Sequence, residues 1–228
     1  KMLGGPVGTR NRVTPLFRLY SSATLDYADV SSPQYALALM INQKSAWLPV
    51  ATLPAVPGYP SFPHGQNETL PSTPHASVYV MTTEVAPRND GPALLPLYLM
   101  DKVYTSGDDF MLATSKAEIE LARTNGYNLR NIQGYIYAPC THEPSCIPAG
   151  AQKFWREYNV AANDCATFLE SERTGTSGFE ARGYTAVCPA GTTKMLGYVY
   201  TSISPCADGT STLPCHDDSI FKNGFDVL

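Results

Sequence analysis

One supersecondary pattern recurs three times along these 228 residues: an aromatic-rich strand, an aspartate a few residues on, and a closing strand of alternating aromatics. The first copy opens with Pro15-Leu16-Phe17-Arg18-Leu19-Tyr20, continues through Asp26-Tyr27 and closes with Ala76-Ser77-Val78-Tyr79-Val80-Met81. The second runs from Pro96-Leu97-Tyr98-Leu99 through Asp108-Asp109-Phe110 to Gly134-Tyr135-Ile136-Tyr137. The third runs from Lys153-Phe154-Trp155-Arg156-Glu157-Tyr158 through Asp164-Cys165 to Gly197-Tyr198-Val199-Tyr200. A repeated unit of this size cannot bury its apolar face alone, so the copies must close on one another.

Composition agrees with a strand-built chain. Charged residues make up only 16%, while 17 Gly, 19 Pro and 14 Tyr supply turns and pleated surface. The net charge is −4 with no basic run, which excludes nucleic acid as a partner because phosphates require clustered Lys and Arg. The length suffices for one domain with a substantial core.

The units span about residues 14–83, 94–139 and 153–202 of a single domain covering 1–228, with tails at 1–13 and 205–228. A Pro-rich insertion, residues 49–74, interrupts the first unit and is expected to form a long loop. Gln34 to Ile41 reads as a short helix with Pro33 in its first turn. Ser115 and Glu118 have capping-box spacing, which predicts a helix over Lys116 to Thr124 that stops at Asn125-Gly126. Two closing strands, Tyr127 to Arg130 and Gly134 to Tyr137, are expected after it. Thr167 to Glu172 occupies the helix position of the third unit. Four short strands and a helical turn per unit, three times over, predict an all-β, pseudo-threefold, β-trefoil-like domain. A short-bladed propeller and a looser threefold barrel satisfy the same count.

The cysteines number six, at 140, 146, 165, 188, 206 and 215. Their placement within the units pairs Cys140 with Cys146, Cys165 with Cys188 and Cys206 with Cys215 as local disulfides; free buried thiols are the alternative. None forms a Cys-x-x-Cys, so zinc is a weak reading. Asn67-Glu68-Thr69 is an N-glycosylation sequon. The apolar runs Tyr35 to Ile41 and Ala93 to Met100 are too short to span a bilayer. The expectation is a secreted, extracellular, disulfide-bonded glycoprotein.

The order of these motifs resembles the tyrosine-rich secreted repeat catalogued as a domain of unknown function. That repeat has a Leu-Tyr-Arg-Leu-Tyr strand, a Gly-Asp-His-Phe-Tyr-Thr-Thr segment, a Ser-x-x-Glu helix, then Gly-Trp and Gly-x-x-Tyr-Val. The second unit is most similar, through Asp109 to Ser115, Glu118, Gly126-Tyr127 and Gly134 to Tyr137. The others keep Phe17-Arg18-Leu19-Tyr20 and Trp155-Arg156-Glu157-Tyr158. The family's His after Asp is replaced by Tyr27, Phe110 and Cys165. The family occurs in exported proteins beside hydrolase or adhesion modules, and the resemblance implies binding to cell-wall or matrix glycans.

Arg-x-Tyr followed by Asp recurs at one spacing, as Arg18, Tyr20, Asp26 and as Arg156, Tyr158, Asp164. With Asp109 from the second unit, these are the candidate ligand-binding residues: tyrosine faces stack on sugar rings, while Arg and Asp bind hydroxyls. The ordinary alternative is an Arg–Asp pair bracing each hairpin. Glu118 and Glu120 read as solvated helix charges. His64, His75, His142 and His216 lie in loops, outside any His-Glu-x-x-His motif, and no Gly-x-Ser-x-Gly occurs, so no catalytic residue is assigned. Asp108-Asp109 and Asp217-Asp218 lack the alternating oxygen ligands of a calcium loop, so neither metal nor cofactor is expected. The reading is a non-catalytic, lectin-like binding protein whose partner is glycan or extracellular matrix protein. Its rivals are an assembly subunit of a matrix, filament or shell, self-associating through the tails, and more remotely a secreted hydrolase.

Overall fold

Aromatic and aliphatic residues that alternate at period two form strands wherever one face can be buried. The computed structural model describes residues 13–41, 47–50, 53, 56, 76, 78–82, 92–104, 107–141, 144–202, 204–205 and 215–216. The first segment contributes β1 (Val13–Ser21), β2 (Asp26–Val30), α1 (Pro33–Ile41), β3 (Trp47–Pro49) and β4 (Val78–Met81). The second contributes β5 (Leu94–Tyr104), β6 (Gly107–Ala113), α2 (Lys116–Thr124) and β7 (Asn128–Tyr137). The third contributes β8 (Ala151–Asn159), β9 (Asp164–Leu169), α3 (Glu170–Arg173), β10 (Tyr184–Ala186) and β11 (Met195–Tyr200). The described chain is therefore mostly β-sheet, with three helices of nine residues or fewer.

One pairing scheme recurs, and every pairing in it is antiparallel. The opening strand of each segment sits between its hairpin partner and its closing strand: β1 between β2 and β4, β5 between β6 and β7, β8 between β9 and β11. The closing strands then pair with each other, Met81 with Tyr135, Tyr137 with Tyr198, and Tyr200 with Tyr79. Backbones approach closely at this junction. A Cβ on Gly197 would overlap the Tyr137 carbonyl oxygen, and one on Gly134 would lie 2.5 Å from Val80 Cγ2 and 2.7 Å from the Met81 oxygen. The largest apolar cluster packs around these strands and includes Leu16, Phe17, Val80, Leu97, Ile136, Phe154, Leu196 and Val199. The closing tyrosines belong largely to the interior: Tyr198, Tyr79 and Tyr200 are buried.

Buried ion pairs link the segments. Arg156 Nη2 donates to Glu118 Oε1 at 2.5 Å, and both side chains are almost fully buried. Arg18 Nε donates to Asp29 Oδ1 at 2.9 Å and its Nη1 to Glu172 Oε1 at 3.0 Å. Guanidinium pairing holds the Glu118 carboxyl at about 2, well below its ordinary range despite burial. Glu118 is thus an interior ion-pair member, not the solvated charge expected from its helical position.

The structure bears out several local expectations. Helix α2 has the expected bounds, with Ser115 Oγ accepting from the Glu118 N–H at 3.2 Å. Gly126, with φ +89°, turns the chain immediately past its C-cap. Disulfides Cys140–Cys146 and Cys165–Cys188 are both formed, each closing a short loop and contributing about 2 kcal/mol. Others are corrected. Thr167 to Leu169 belong to β9, where they pair with Arg156, Trp155 and Phe154, so the helix begins only at Glu170. The two closing strands expected in the second unit are one strand, β7, whose register against β5 shifts twice. The Cys206–Cys215 pairing, the Asn67 sequon, most of the insertion and nearly all of both tails lie outside the described residues.

Gly197→Ala is expected to destabilise the protein by about 3 kcal/mol, because the obstructing atom is backbone and cannot swing aside. A lowered urea midpoint at unchanged slope checks this.

Candidate functional site

Asp26, Asp109 and Asp164, one from each segment, converge in the interior. An oxygen of each lies within 4.8 Å of one from each of the others. Hairpin geometry delivers two of them identically. Ser21 pairs with Asp26 and Asn159 with Asp164, so each aspartate is the first strand residue after a four-residue turn. The residue before each has a left-handed backbone, Leu25 at φ +59° and Asn163 at φ +55°. Asn tolerates that region, whereas Leu is strained there. Asp109 comes from further inside its hairpin, opposite Lys102. Strands β2, β6 and β9 pack on one another, which carries the three carboxyls together.

Each carboxyl is held in the same way. Oδ2 of Asp109 accepts from the Tyr127 hydroxyl at 2.7 Å, Oδ2 of Asp164 from the Tyr184 hydroxyl at 2.5 Å, and Oδ2 of Asp26 from the Phe110 N–H at 3.2 Å. Oδ1 of all three is buried and accepts from no hydroxyl or N–H, while the Asp26 and Asp164 carboxyls lie close enough to share a proton in a hydrogen bond with each other. Burial raises every one of these acids. Burial, with help from the Asp164 carboxylate and against the Tyr127 hydroxyl and Lys102, pushes Asp109 up to about 7. Asp164 is pushed up to about 6. Asp26 is held well above its ordinary value, by burial first and then by Asp164 beside it. The hydroxyls of Tyr127 and Tyr184 are raised too, by burial and by their aspartates, and therefore remain donors at neutral pH.

The cluster forms the floor of an open cavity of about 290 Å³, lined also by Ala23, Thr24, Tyr104, Asp108, Ala162 and Asn163. Thr24 Oγ1 is another buried oxygen without a hydrogen bond. Lys102 Nζ lies 4.9 Å from the Tyr104 ring centroid and contributes positive charge beside Asp109. Chemically, the floor accepts hydrogen bonds, shares protons between carboxyls, or coordinates a cation.

The other sequence-derived site residues go elsewhere. Arg18 and Arg156 are buried in the ion pairs described above and engage neither Asp26 nor Asp164. Tyr20 packs its ring 4.8 Å from that of Tyr27. Tyr158 donates to Asn163 Oδ1 at 2.8 Å and so braces the cavity rim from behind. Thr24, Tyr104 and Asn163 carry no sequence signal of their own; they are gathered by the hairpin turns. No family model, curated protein or solved structure matches the chain.

Two measurements check this electrostatic picture. Carboxyls raised in the folded state hold protons that the unfolded chain has already released between about pH 4 and 7. In chelated buffer their contribution to stability is therefore greatest near pH 4 and is lost as pH rises through about 6 to 7. Asp164→Asn removes that loss, so the variant should be more stable than the parent by about 2 kcal/mol at pH 7.5 and indistinguishable near pH 4. Separately, Leu25→Asn should stabilise by about 1 kcal/mol by relieving the left-handed leucine. Thermal melts of parent and variants report both.

Proposed function

We propose that this chain is a secreted, non-catalytic carbohydrate-binding protein of the tyrosine-rich repeat kind. Its three segments act as copies of one unit in a pseudo-threefold, β-trefoil-like scaffold. The observation that carries the reading is the buried trio of carboxyl oxygens without donors at the floor of an open cavity. A sugar is a dense array of hydroxyl donors, which is the complement such a floor requires. The rim adds what a pyranose ring needs. Tyr104 is 39% exposed and offers an aromatic face, while Thr24 and Asn163 add polar edges. The volume lies at the small end of ligand cavities, which suits one terminal monosaccharide unit.

This placement differs from separate Arg/Tyr/Asp sites on individual hairpins. The segments jointly build one site, with Asp26, Asp109 and Asp164 as its acceptors. The two disulfides are compatible with an oxidising, extracellular setting, and no helix among the described residues is long and apolar enough to cross a membrane.

On a glycan array the protein should retain a defined set of terminal sugars. Tyr104→Ala and Asp164→Asn should each weaken retention at least about tenfold without loss of fold, as expected for loss of a stacking face or a buried acceptor. Absence of any glycan binding, combined with a large particle by native mass measurement, would replace this reading with the assembly-subunit one. Turnover of a bound glycan would replace it with the hydrolase.

A further inference from the structure

The three converging carboxyls carry more than hydrogen-bonding capacity. We propose that Asp26, Asp109 and Asp164 form a calcium-class cation site, a hard divalent ion held by one oxygen from each segment. The proposal stands on the geometry of the cluster and not on the carbohydrate reading; an ion there takes the oxygens that a sugar would otherwise meet, so a glycan in the cavity would bind over the ion.

The first support is the state of the leftover oxygens. Asp26 and Asp164 are 3% and 2% exposed, and Asp109 is 8%. Oδ1 of all three accepts from no hydroxyl or N–H, although each Oδ2 does, and the one bond left between the carboxyls, Asp26 to Asp164, needs a proton that a cation would displace. Buried polar atoms are almost always paired, and three buried carboxyls from distant parts of one chain, gathered together with oxygens left over, have a cation as their natural partner. Thr24 Oγ1, also buried and without a hydrogen bond, lines the same cavity and offers a neutral fourth oxygen.

The second support is the span. Three oxygens spread evenly around one ion are separated by about 4.2 Å for Ca²⁺ bonds of about 2.4 Å, and by about 3.6 Å for Mg²⁺ bonds of about 2.1 Å. The carboxyl oxygens lie within 4.8 Å of one another, close enough for one ion to gather all three, and the irregular shell of six to eight oxygens that Ca²⁺ accepts suits ligands from three separate strands better than the strict octahedron of Mg²⁺. Three carboxylates against a divalent charge leave one net negative charge, and the open cavity admits water to complete a shell of six to eight oxygens. The third support is orientation. The Tyr127 and Tyr184 hydroxyls and the Phe110 N–H fix one oxygen of each carboxyl, the kind of support that orients metal ligands.

The test is calorimetric titration of the whole chain with CaCl2 in chelator-treated buffer, with MgCl2 in parallel. One Ca²⁺ per chain is expected, at least about tenfold tighter than Mg²⁺, together with a Ca²⁺-dependent rise in Tm. Asp26→Asn and Asp164→Asn should each weaken Ca²⁺ binding by about tenfold or more, with the near-UV circular dichroism unchanged. If either carboxyl variant does not fold, Thr24→Val serves in its place and should weaken binding several-fold. Absence of heat and of any Tm shift up to about 10 mM CaCl2 would overturn the proposal, since the weakest extracellular calcium modules bind at about 1 mM. Binding that survives both aspartate changes would overturn it equally, by placing the ion elsewhere. Calcium binding with no glycan retained on the array would sustain this site while removing the carbohydrate reading.

Discussion

The meeting of β4, β7 and β11 is the constraint on which the rest of the structure depends. Each closing strand touches the other two by one rule of register, Met81 to Tyr135, Tyr137 to Tyr198 and Tyr200 to Tyr79. No segment completes this junction alone, so three sequentially distant hairpins become one body. Gly134 and Gly197 supply the close approach that a side chain would prevent. Once the closing strands are locked, the opening strands are fixed beside them, and the hairpin partners β2, β6 and β9 pack against one another. The carboxyl cluster follows from that packing.

Three acids in one buried space are an electrostatic liability. Desolvation and mutual repulsion both disfavour ionisation, which is why all three carboxyls are raised. A chain selected for stability alone would place an amide or a hydroxyl at one of these positions. Instead an acid stands here in every segment, each with one oxygen that accepts from a hydroxyl or N–H and one that does not. The left-handed Leu25 immediately before Asp26 is a second local cost at the same place.

Much of this was legible in the sequence because it is local. Period-two alternation located the opening strands, and Ser115, Glu118 and Gly126 bounded α2 to the residue. Position within each unit paired Cys140 with Cys146 and Cys165 with Cys188. The aspartates of the site were visible too, as the one acid that recurs in every unit. Their convergence was not, because nothing in linear spacing separates an acid facing water from one facing two others across the interior. The third-unit helix was misplaced for a related reason. Thr167, Phe168 and Leu169 satisfy a helical pattern as readily as a strand, and their pairing with β8 decides for the strand.

The two arginines share a motif with their aspartates but take different partners from them. Arg18 and Arg156 precede their aspartates at the same spacing, yet strand register puts Arg18 opposite Asp29 and Arg156 opposite Thr167. Neither guanidinium is aligned with Asp26 or Asp164. Each reaches instead to a glutamate in the first turn of another segment's helix, Arg18 to Glu172 and Arg156 to Glu118. Those glutamates also bond backbone beside their own helix starts, Glu172 through the Leu169 N–H and Glu118 through the Thr114 N–H. A local helix-start device thereby doubles as a clasp between segments. The division of labour follows from desolvation: an arginine and a glutamate that satisfy each other can be sealed inside, whereas three carboxyls satisfy one another only by taking up protons, and they border an open cavity. The same repeated motif therefore yields structural clasps from its arginines and a site from its aspartates.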